Sequence, residues 1–235
     1  MRDKPFLALM GSLLWATFTR PDVSYYISFL CCCMHDPSIK AYDAALGILS
    51  YLNGSRNLKL TYDGNRPRFT GFSDSSWSQS PLPYGGFVIF LCGAAVTFAS
   101  RKLKIAPQSS HEAETAVYAN CCKDWAFIIN LWGSDGLQMP IETPLTIFCD
   151  NQSAVDTIKT PGLTQRTKHF ERWVTYGREQ FLDLKSEPVW VETYNQVADC
   201  FTKALDKTTF FKFRDALLNI PSPLVRDKLK FILGR

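Results

Sequence analysis

Four acidic residues stand in four separate blocks of this 235-residue chain, each block carrying its own turn or cap chemistry. They are Asp74 in Gly-Phe-Ser-Asp-Ser-Ser-Trp (71–77), Glu114 in Ser-Ser-His-Glu-Ala-Glu-Thr (109–115), Asp150 in Ile-Phe-Cys-Asp-Asn-Gln-Ser (147–153) and Asp199 in Asn-Gln-Val-Ala-Asp (195–199). Carboxylates gathered at one point cannot all stay ionised without cations. Convergence of these four therefore implies hard divalent ions such as Mg²⁺, with Mn²⁺ as the substitute. That constellation serves two-metal hydrolysis of a phosphodiester. Each acid also has a structural role open to it. Asp74 can close a turn, Glu112 or Glu114 can complete a capping box after Ser110, Asp150 can cap a helix opening at 151, and Asp199 can face a helix dipole. Taken singly, these roles suffice; four acids in this element order are hard to assign wholly to capping.

The elements that must gather them follow from hydropathy and punctuation. Residues 1–62 read as helical. Leu9, Leu13, Leu14 and Ala16 form an apolar face ending at Arg20-Pro21. Pro21 opens a second helix toward Met34, with Asp22 against its dipole, and Ser38 caps a third that ends at Asn53-Gly54. Asp63-Gly64-Asn65-Arg66-Pro67 is a turn-rich linker. Beyond it Arg68–Asp74, Gly86–Cys92 and Ala95–Ser100 read as strands, the last two joined at Gly93-Ala94 as a hairpin. A long helix capped by Ser110 reaches Trp132. It is followed by a strand Pro144–Cys149, helices Asn151–Ile158 and Thr167–Leu184, a strand Pro188–Tyr194 and a helix Val197–Leu205. The order β-β-β-α-β-α-α-β-α implies a mixed sheet with helices on its faces. Asp74 and Asp150 then fall at the C-terminal ends of strands, where open α/β sheets form sites. Glu112 and Glu114, two apart on a helix, point to different faces, so only one of them reaches such a site.

Composition sets the outer bounds. A chain that is 46% hydrophobic and 20% charged buries a real core. The net charge of +4 permits a nucleic-acid partner without requiring one. The bases cluster as Arg101, Lys102 and Lys104; Arg166, Lys168 and Arg172; and Lys203, Lys207, Lys212 and Arg214. Eight cysteines without a Cys-x-x-Cys pair form neither a zinc pattern nor a disulfide scaffold, and read as reduced thiols of a cytoplasmic or nuclear protein. The apolar run Phe6–Phe18 lacks a small-x-small cleavage site, so the chain reads as not secreted. Tyr84–Ser100 falls short of the roughly 20 residues of a membrane helix and contains three glycines, so no membrane span is expected.

The acid-bearing blocks carry a resemblance. Residues 71–206 resemble the ribonuclease H domain in the Pol polyprotein of copia-class LTR retrotransposons. The resemblance runs through Gly-Phe-Ser-Asp-Ser-Ser-Trp, Tyr-Gly-Gly-Phe-Val (84–88), Ala-Ser-Arg-Lys (99–102), Ser-Ser-His-Glu-Ala-Glu, Cys-Asp-Asn-Gln-Ser-Ala (149–154), Arg-Thr-Lys-His (166–169) and Ala-Asp-Cys-Phe-Thr-Lys-Ala-Leu (198–205). Residues 6–62 resemble the segment after the polymerase palm, through Gly-Ser-Leu-Leu-Trp (11–15), Thr-Arg-Pro-Asp-Val (19–23) and Tyr-Leu-Asn-Gly-Ser (51–55). The resemblance implies an α/β, ribonuclease H-like five-stranded mixed sheet with helices on both faces, preceded by a small all-helical segment. The expected divisions are a reverse transcriptase thumb or connection remnant (1–65), the ribonuclease H-like domain (66–208) and a C-terminal helical tail (209–235).

The same resemblance implies hydrolysis of the RNA strand of an RNA–DNA hybrid with two Mg²⁺ ions. Asp74 would bridge both ions, Glu114 and Asp150 would hold one, and Asp199 the other. The family's helix acid precedes an apolar-x-Ala pattern that Glu114-Thr115-Ala116 matches imperfectly, and Glu112 stays the alternative. Arg101, Lys102, Arg166, Lys168 and Lys203 are the candidate phosphate contacts, since hybrids are read through sugar and backbone rather than base edges. The other implied partners are the reverse transcriptase palm and fingers of the parent polyprotein. Two features depart from the pattern. Many ribonuclease H domains carry a mobile histidine before the last acid, but this chain has only His35, His111 and His169, and His169 reads as structural or phosphate-facing. There is also no Asp-Asp pair, so no polymerase activity is expected. The alternative function is an inert or domesticated fragment that binds nucleic acid or protein without catalysis. An integrase-like enzyme fits less well, because such enzymes use three acids.

Overall fold

Apolar residues three or four apart build three N-terminal helices: α1 (Phe6–Ala16), α2 (Ser24–Cys31) and α3 (Ile39–Gly54). The computed structural model describes residues 5–64, 68–76, 83–104, 106–133, 136–162, 170–225 and 227–233. Phe6, Met10 and Leu13 of α1 meet Ile27 and Leu30 of α2 and Ala41 and Ala45 of α3 in one cluster. Pro21 opens the 3₁₀ turn Pro21–Val23 that leads into α2, and Ser38 caps α3 by accepting from Ala41 N at 3.1 Å. Asp22 does more than face a dipole. It is fully buried, pairs with Arg20 at 2.8 Å and accepts from the Tyr51 hydroxyl at 2.6 Å, tying the start of α2 to α3.

The sheet is mixed and five-stranded, in the order β3-β2-β1-β4-β5. Strands β1 (Phe69–Ser76), β2 (Tyr84–Leu91) and β3 (Ala94–Lys102) are antiparallel; β4 (Leu145–Cys149) runs parallel to β1 and β5 (Ser186–Trp190) parallel to β4. The β2–β3 hairpin turns at Cys92-Gly93, one residue earlier than expected. Both residues have positive φ (50° and 80°), which suits the twist of a two-residue hairpin, and Ala94 already belongs to β3.

Helices cover both faces, as the sequence implies. On one face Val117, Tyr118 and Trp125 of α4 (Ser110–Trp132), with residues of α5 (Gln152–Lys159), pack on Phe69, Ile89 and Ile147, and α6 (Glu171–Leu182) lies against α4 and α5. On the other, the 3₁₀ turn Val197–Phe201, α7 (Lys207–Leu218) and α8 (Asp227–Ile232) bring Phe201, Phe213, Leu217 and Leu229 to Phe72, Val88 and Phe90. Among the described residues no helix is long and apolar enough to cross a membrane. All eight cysteines are free.

Several expected boundaries shift, three of them near the acids. The cap of α4 is Ser109 rather than Ser110: Ser109 is extended and accepts from Glu112 N at 3.2 Å, while Ser110 has already turned into the helix. Strand β5 stops at Trp190 instead of Tyr194, because the chain leaves the sheet into the 3₁₀ turn Thr193–Asn195. The helix expected over 197–205 is the short 3₁₀ turn Val197–Phe201, closed by i→i+3 bonds such as Asp199 N to Gln196 O at 3.2 Å.

Candidate active site

The side-chain alternation of β1 sends Phe72 and Asp74 to the face covered by the Val197–Phe201 turn, and Ser75 toward α4. Phe72 is level with Phe148 across the parallel β1–β4 pair. Asp74 and Asp150 each follow that level by two residues, so both emerge at the same edge of the sheet. Asp199 arrives from the opposite side on its 3₁₀ turn. Asp74 pairs in register with Gly86, where a Cβ would lie 2.4 Å from Phe201 Cβ. Only glycine lets the Asp199-bearing turn approach β2 so closely.

The result is convergence. Carboxylate oxygens of Asp74, Asp150 and Asp199 all lie within 4.8 Å of one another. Glu114, buried in the early turns of α4, accepts from the Ser75 backbone N at 3.0 Å and from Ser75 Oγ at 3.2 Å through Oε1. Its Oε2 is buried with no hydrogen-bond partner. The capping roles go elsewhere: Asn151, not Asp150, caps α5 by accepting from Ala154 N at 3.1 Å. Glu112 accepts from Gln108 N at 2.8 Å, beside its cap Ser109. Truncating Glu112 to Ala is therefore expected to cost about 1 kcal/mol of stability, as cap losses do. The rise in melting temperature caused by Mn²⁺ should stay within error of the wild type. A Mn²⁺ response lost in Glu112→Ala but kept in Glu114→Gln would reverse this assignment.

The electrostatics are those of acids short of counter-charge. Burial, then the Asp74 and Asp150 charges, push the Glu114 carboxyl well above the usual carboxylate range. Burial and Asp74 push Asp199 up to about 8, against the opposing pull of Lys203, whose Nζ lies 2.8 Å from Asp199 Oδ1. Burial and Asp74 also raise Asp150. Burial works against the Lys203 ammonium, yet the hydrogen bond to Asp199 raises its pKa. Oxygen-only donors, three of them in reach of one point and a fourth with an unpartnered buried oxygen, fit a hard divalent cation. Asp74, Asp150 and Asp199 are placed to hold it, with Glu114 beside them.

Four side chains that the sequence reading passed over support the acids. Thr202 Oγ1 donates to Asp74 Oδ2, Thr193 Oγ1 donates to Asp150 Oδ2 at 2.9 Å, and Ser75 holds Glu114. Gln196 lies behind the strand ends. Thr202 and Gln196 each lie three residues from Asp199, a local spacing that flags them only once Asp199 is known to matter.

The candidate phosphate contacts separate. Arg101 and Lys102, at the end of β3, line a groove of about 310 Å³ together with Lys104, Lys123, Val117 and Trp173. Val117 lies about one helical turn from Glu114, but none of the four acids lines the groove. The Lys123 ammonium sits 4.6 Å from the centre of the Trp173 ring. Lys203 is directed at Asp199. Arg166 and Lys168 lie outside the described residues, as does His169. His111 is engaged with Thr157 Oγ1 at 2.8 Å and packs edge-on against Phe170. Lys212, grouped by sequence with the surface bases, is buried and donates to Tyr194 O and, at 3.3 Å, to Asn195 Oδ1.

No protein-family model matches the chain. It is 31% identical over 212 residues to the retrovirus-related Pol polyprotein from transposon RE1 of Arabidopsis thaliana, a match covering 88% of this chain and 14% of that polyprotein. A second relative is the corresponding polyprotein from transposon TNT 1-94 of Nicotiana tabacum, 25% identical over 89% of this chain and 16% of its own length. A putative transposon Ty5-1 protein of Saccharomyces cerevisiae is 37% identical over 47% of this chain and 38% of its own. The chain thus spans about one seventh of the plant polyproteins it matches. The resemblance to copia-class Pol segments drawn from the motifs is borne out. Similar solved structures include the N-terminal ribonuclease H domain of a Mycobacterium tuberculosis protein fused to maltose-binding protein (TM-score 0.45, 11% identity, 58% of this chain and 91% of that one). Another is a ribonuclease H1 in complex with an RNA/DNA hybrid (TM-score 0.41, 13% identity, 57% and 94%).

Proposed function

We propose, for a chain related over 88% of its length to one segment of the retrovirus-related Pol polyproteins of transposons, a metal-dependent ribonuclease H activity that hydrolyses the RNA strand of RNA–DNA hybrids. The observation that carries this reading is the convergence of Asp74, Asp150 and Asp199 within 4.8 Å, with Glu114 buried beside them. When bound there, two divalent cations supply Lewis acidity, neutralising charge on the scissile phosphate and lowering the pKa of water. The chain's own groups position and hold. Thr202 and Thr193 fix the Asp74 and Asp150 carboxylates, and the two Ser75 donors hold one Glu114 oxygen so that the other is left for the cluster. Lys203 adds a positive charge at the rim of the acids, where a phosphate would arrive.

The groove of Arg101, Lys102, Lys104 and Lys123 would take backbone phosphates, with Trp173 offering a flat apolar surface to a sugar. Such contacts bind through released counterions and weaken steeply with salt. Arg166 and Lys168 stay candidates for the same duty. In this reading residues 1–65 adjoin the reverse transcriptase palm and fingers of a polyprotein, residues 66–208 form the nuclease domain, and 209–235 follow it.

A labelled RNA–DNA hybrid incubated with the chain and Mg²⁺, beside single-stranded and duplex RNA, tests the proposal. Cleavage is expected only in the RNA strand of the hybrid, and chelation should abolish it. Binding of the hybrid without cleavage at any Mg²⁺ or Mn²⁺ concentration would replace this reading with that of a fragment that binds nucleic acid without catalysis.

A further inference from the structure

The β1–β4 ladder ends at the pair Phe72–Phe148. Beyond it the two strands part, and one side chain is inserted at the fork. Gln196, fully buried, donates from Nε2 to Ser73 O at 3.0 Å and to Phe148 O at 3.4 Å, and its Oε1 accepts from Ala198 N at 3.2 Å. Ser73 precedes Asp74, Phe148 stands two residues before Asp150, and Ala198 precedes Asp199. A single planar amide therefore bonds to backbone beside all three converging aspartates. No other side chain of this length offers two donor hydrogens and an acceptor on one rigid plane. Glutamate would turn acceptors on two carbonyls, and methionine would make none of the three bonds.

The segment that carries Gln196 is itself anchored. Lys212, on α7, is buried and donates to Tyr194 O and Asn195 Oδ1, the two residues immediately before it. An apolar side chain of the same volume would fill the fork but leave Ser73 O, Phe148 O and Ala198 N without this partner, so the amide contributes direction as well as packing.

We propose that Gln196 is a positioning residue that sets the spacing of Asp74, Asp150 and Asp199, and through it metal affinity and turnover, without touching metal or substrate. This rests on the ribonuclease reading for its kinetic arm and on the carboxylate cluster alone for its metal arm. Side chains that hydrogen-bond metal ligands directly govern affinity by about 10–100-fold, and Gln196 acts through the backbone beside the ligands, so the lower end of that range is expected. Misplacement of reacting groups by about 1 Å costs on the order of 100-fold in rate.

The test uses the whole chain with Gln196→Met and Gln196→Glu. Mn²⁺ affinity is read from the rise in melting temperature, which needs no activity, and kcat and KM from hybrid cleavage. For Gln196→Met the half-saturating Mn²⁺ is expected to rise about 10-fold. Its kcat should fall about 100-fold, with KM for the hybrid within about threefold of wild type. Gln196→Glu, nearly the same shape and retaining the acceptor for Ala198 N, should not rescue either value, and it carries the test if the methionine variant does not fold. Variants that melt lower but titrate Mn²⁺ and turn over like wild type overturn the proposal, because a merely structural glutamine would behave so. A loss confined to KM overturns it equally. Wild type that binds Mn²⁺ without cleaving sinks only the ribonuclease reading, and the affinity arm still decides Gln196. Wild type that shows no Mn²⁺ stabilisation overturns both.

Discussion

Asp74→Asn is expected to lower the proposed metal-dependent cleavage of the hybrid by about 10³-fold or more, the several kcal/mol that a cation-holding carboxylate at a phosphoryl centre would be worth. Asp74 is the member of the cluster whose charge is felt by Glu114, Asp150 and Asp199 alike. It is also within 4.8 Å of both other aspartates. Asparagine keeps the shape and keeps an oxygen to accept from Thr202, so the fold should survive. In chelator at neutral pH the variant should even melt higher than wild type, because the Asp74 charge that disfavours ionisation of Glu114, Asp150 and Asp199 in the fold is gone. That pairing of gained stability with lost activity separates a functional carboxylate from a turn-closing one, whose removal would cost stability. Glu114→Gln is expected to behave similarly, with Oε1 still accepting from Ser75. Cleavage by Asp74→Asn within tenfold of wild type would sink the site assignment.

The acids were legible in sequence because each interrupts an apolar pattern at an element end, which is where α/β sheets place sites. The distinction between Glu112 and Glu114 was legible only as an alternative. Helical geometry says that residues two apart face different ways, but not which way α4 is rotated; Ala113, Val117 and Cys121 packing into the core under the helix fix that. Adjacent residues of the same capping type defeat sequence reading altogether. Ser109 and Ser110, or Asp150 and Asn151, are equally competent caps, and long-range packing chooses between them. The fork held by Gln196 was not visible at all, since Ser73, Phe148 and Gln196 are brought together only when β1, β4 and the last turn are in place. Lys212 failed for the related reason that a lysine's role depends on what surrounds its ammonium, and charge counting sees only the charge.

In chelator the folded chain should lose stability as pH rises from about 5 to about 8.5, and Mg²⁺ should restore it most at the alkaline end. The sign follows from the acids. Asp199 lies at about 8 in the fold against 3.8 for an exposed aspartate, because burial and the Asp74 charge disfavour its ionised form. Between those values the unfolded chain gives up a proton that the folded chain keeps. The stability associated with the neutral carboxyl is therefore fully present below the unfolded value and is lost as pH climbs through the folded one. Glu114 and Asp150 are displaced in the same direction and deepen the loss. Lys203 moderates it through its ion pair with Asp199. Divalent cations act in the opposite sense. They bind the ionised cluster, and the stabilisation they add grows with the fraction of carboxyls that are charged. At this chain length each kcal/mol moves the melting temperature by about 2–4 °C, so a fall of roughly 10 °C across this range is expected in chelator. Most of it should return at saturating Mg²⁺. Asp199→Asn should flatten the chelator curve, and Asp74→Asn should flatten it too by removing the repulsion that raises its neighbours. A melting temperature that is level or rising with pH in chelator, or a Mg²⁺ increment equal at both ends of the range, would show that these carboxyls are not held together as a cation site.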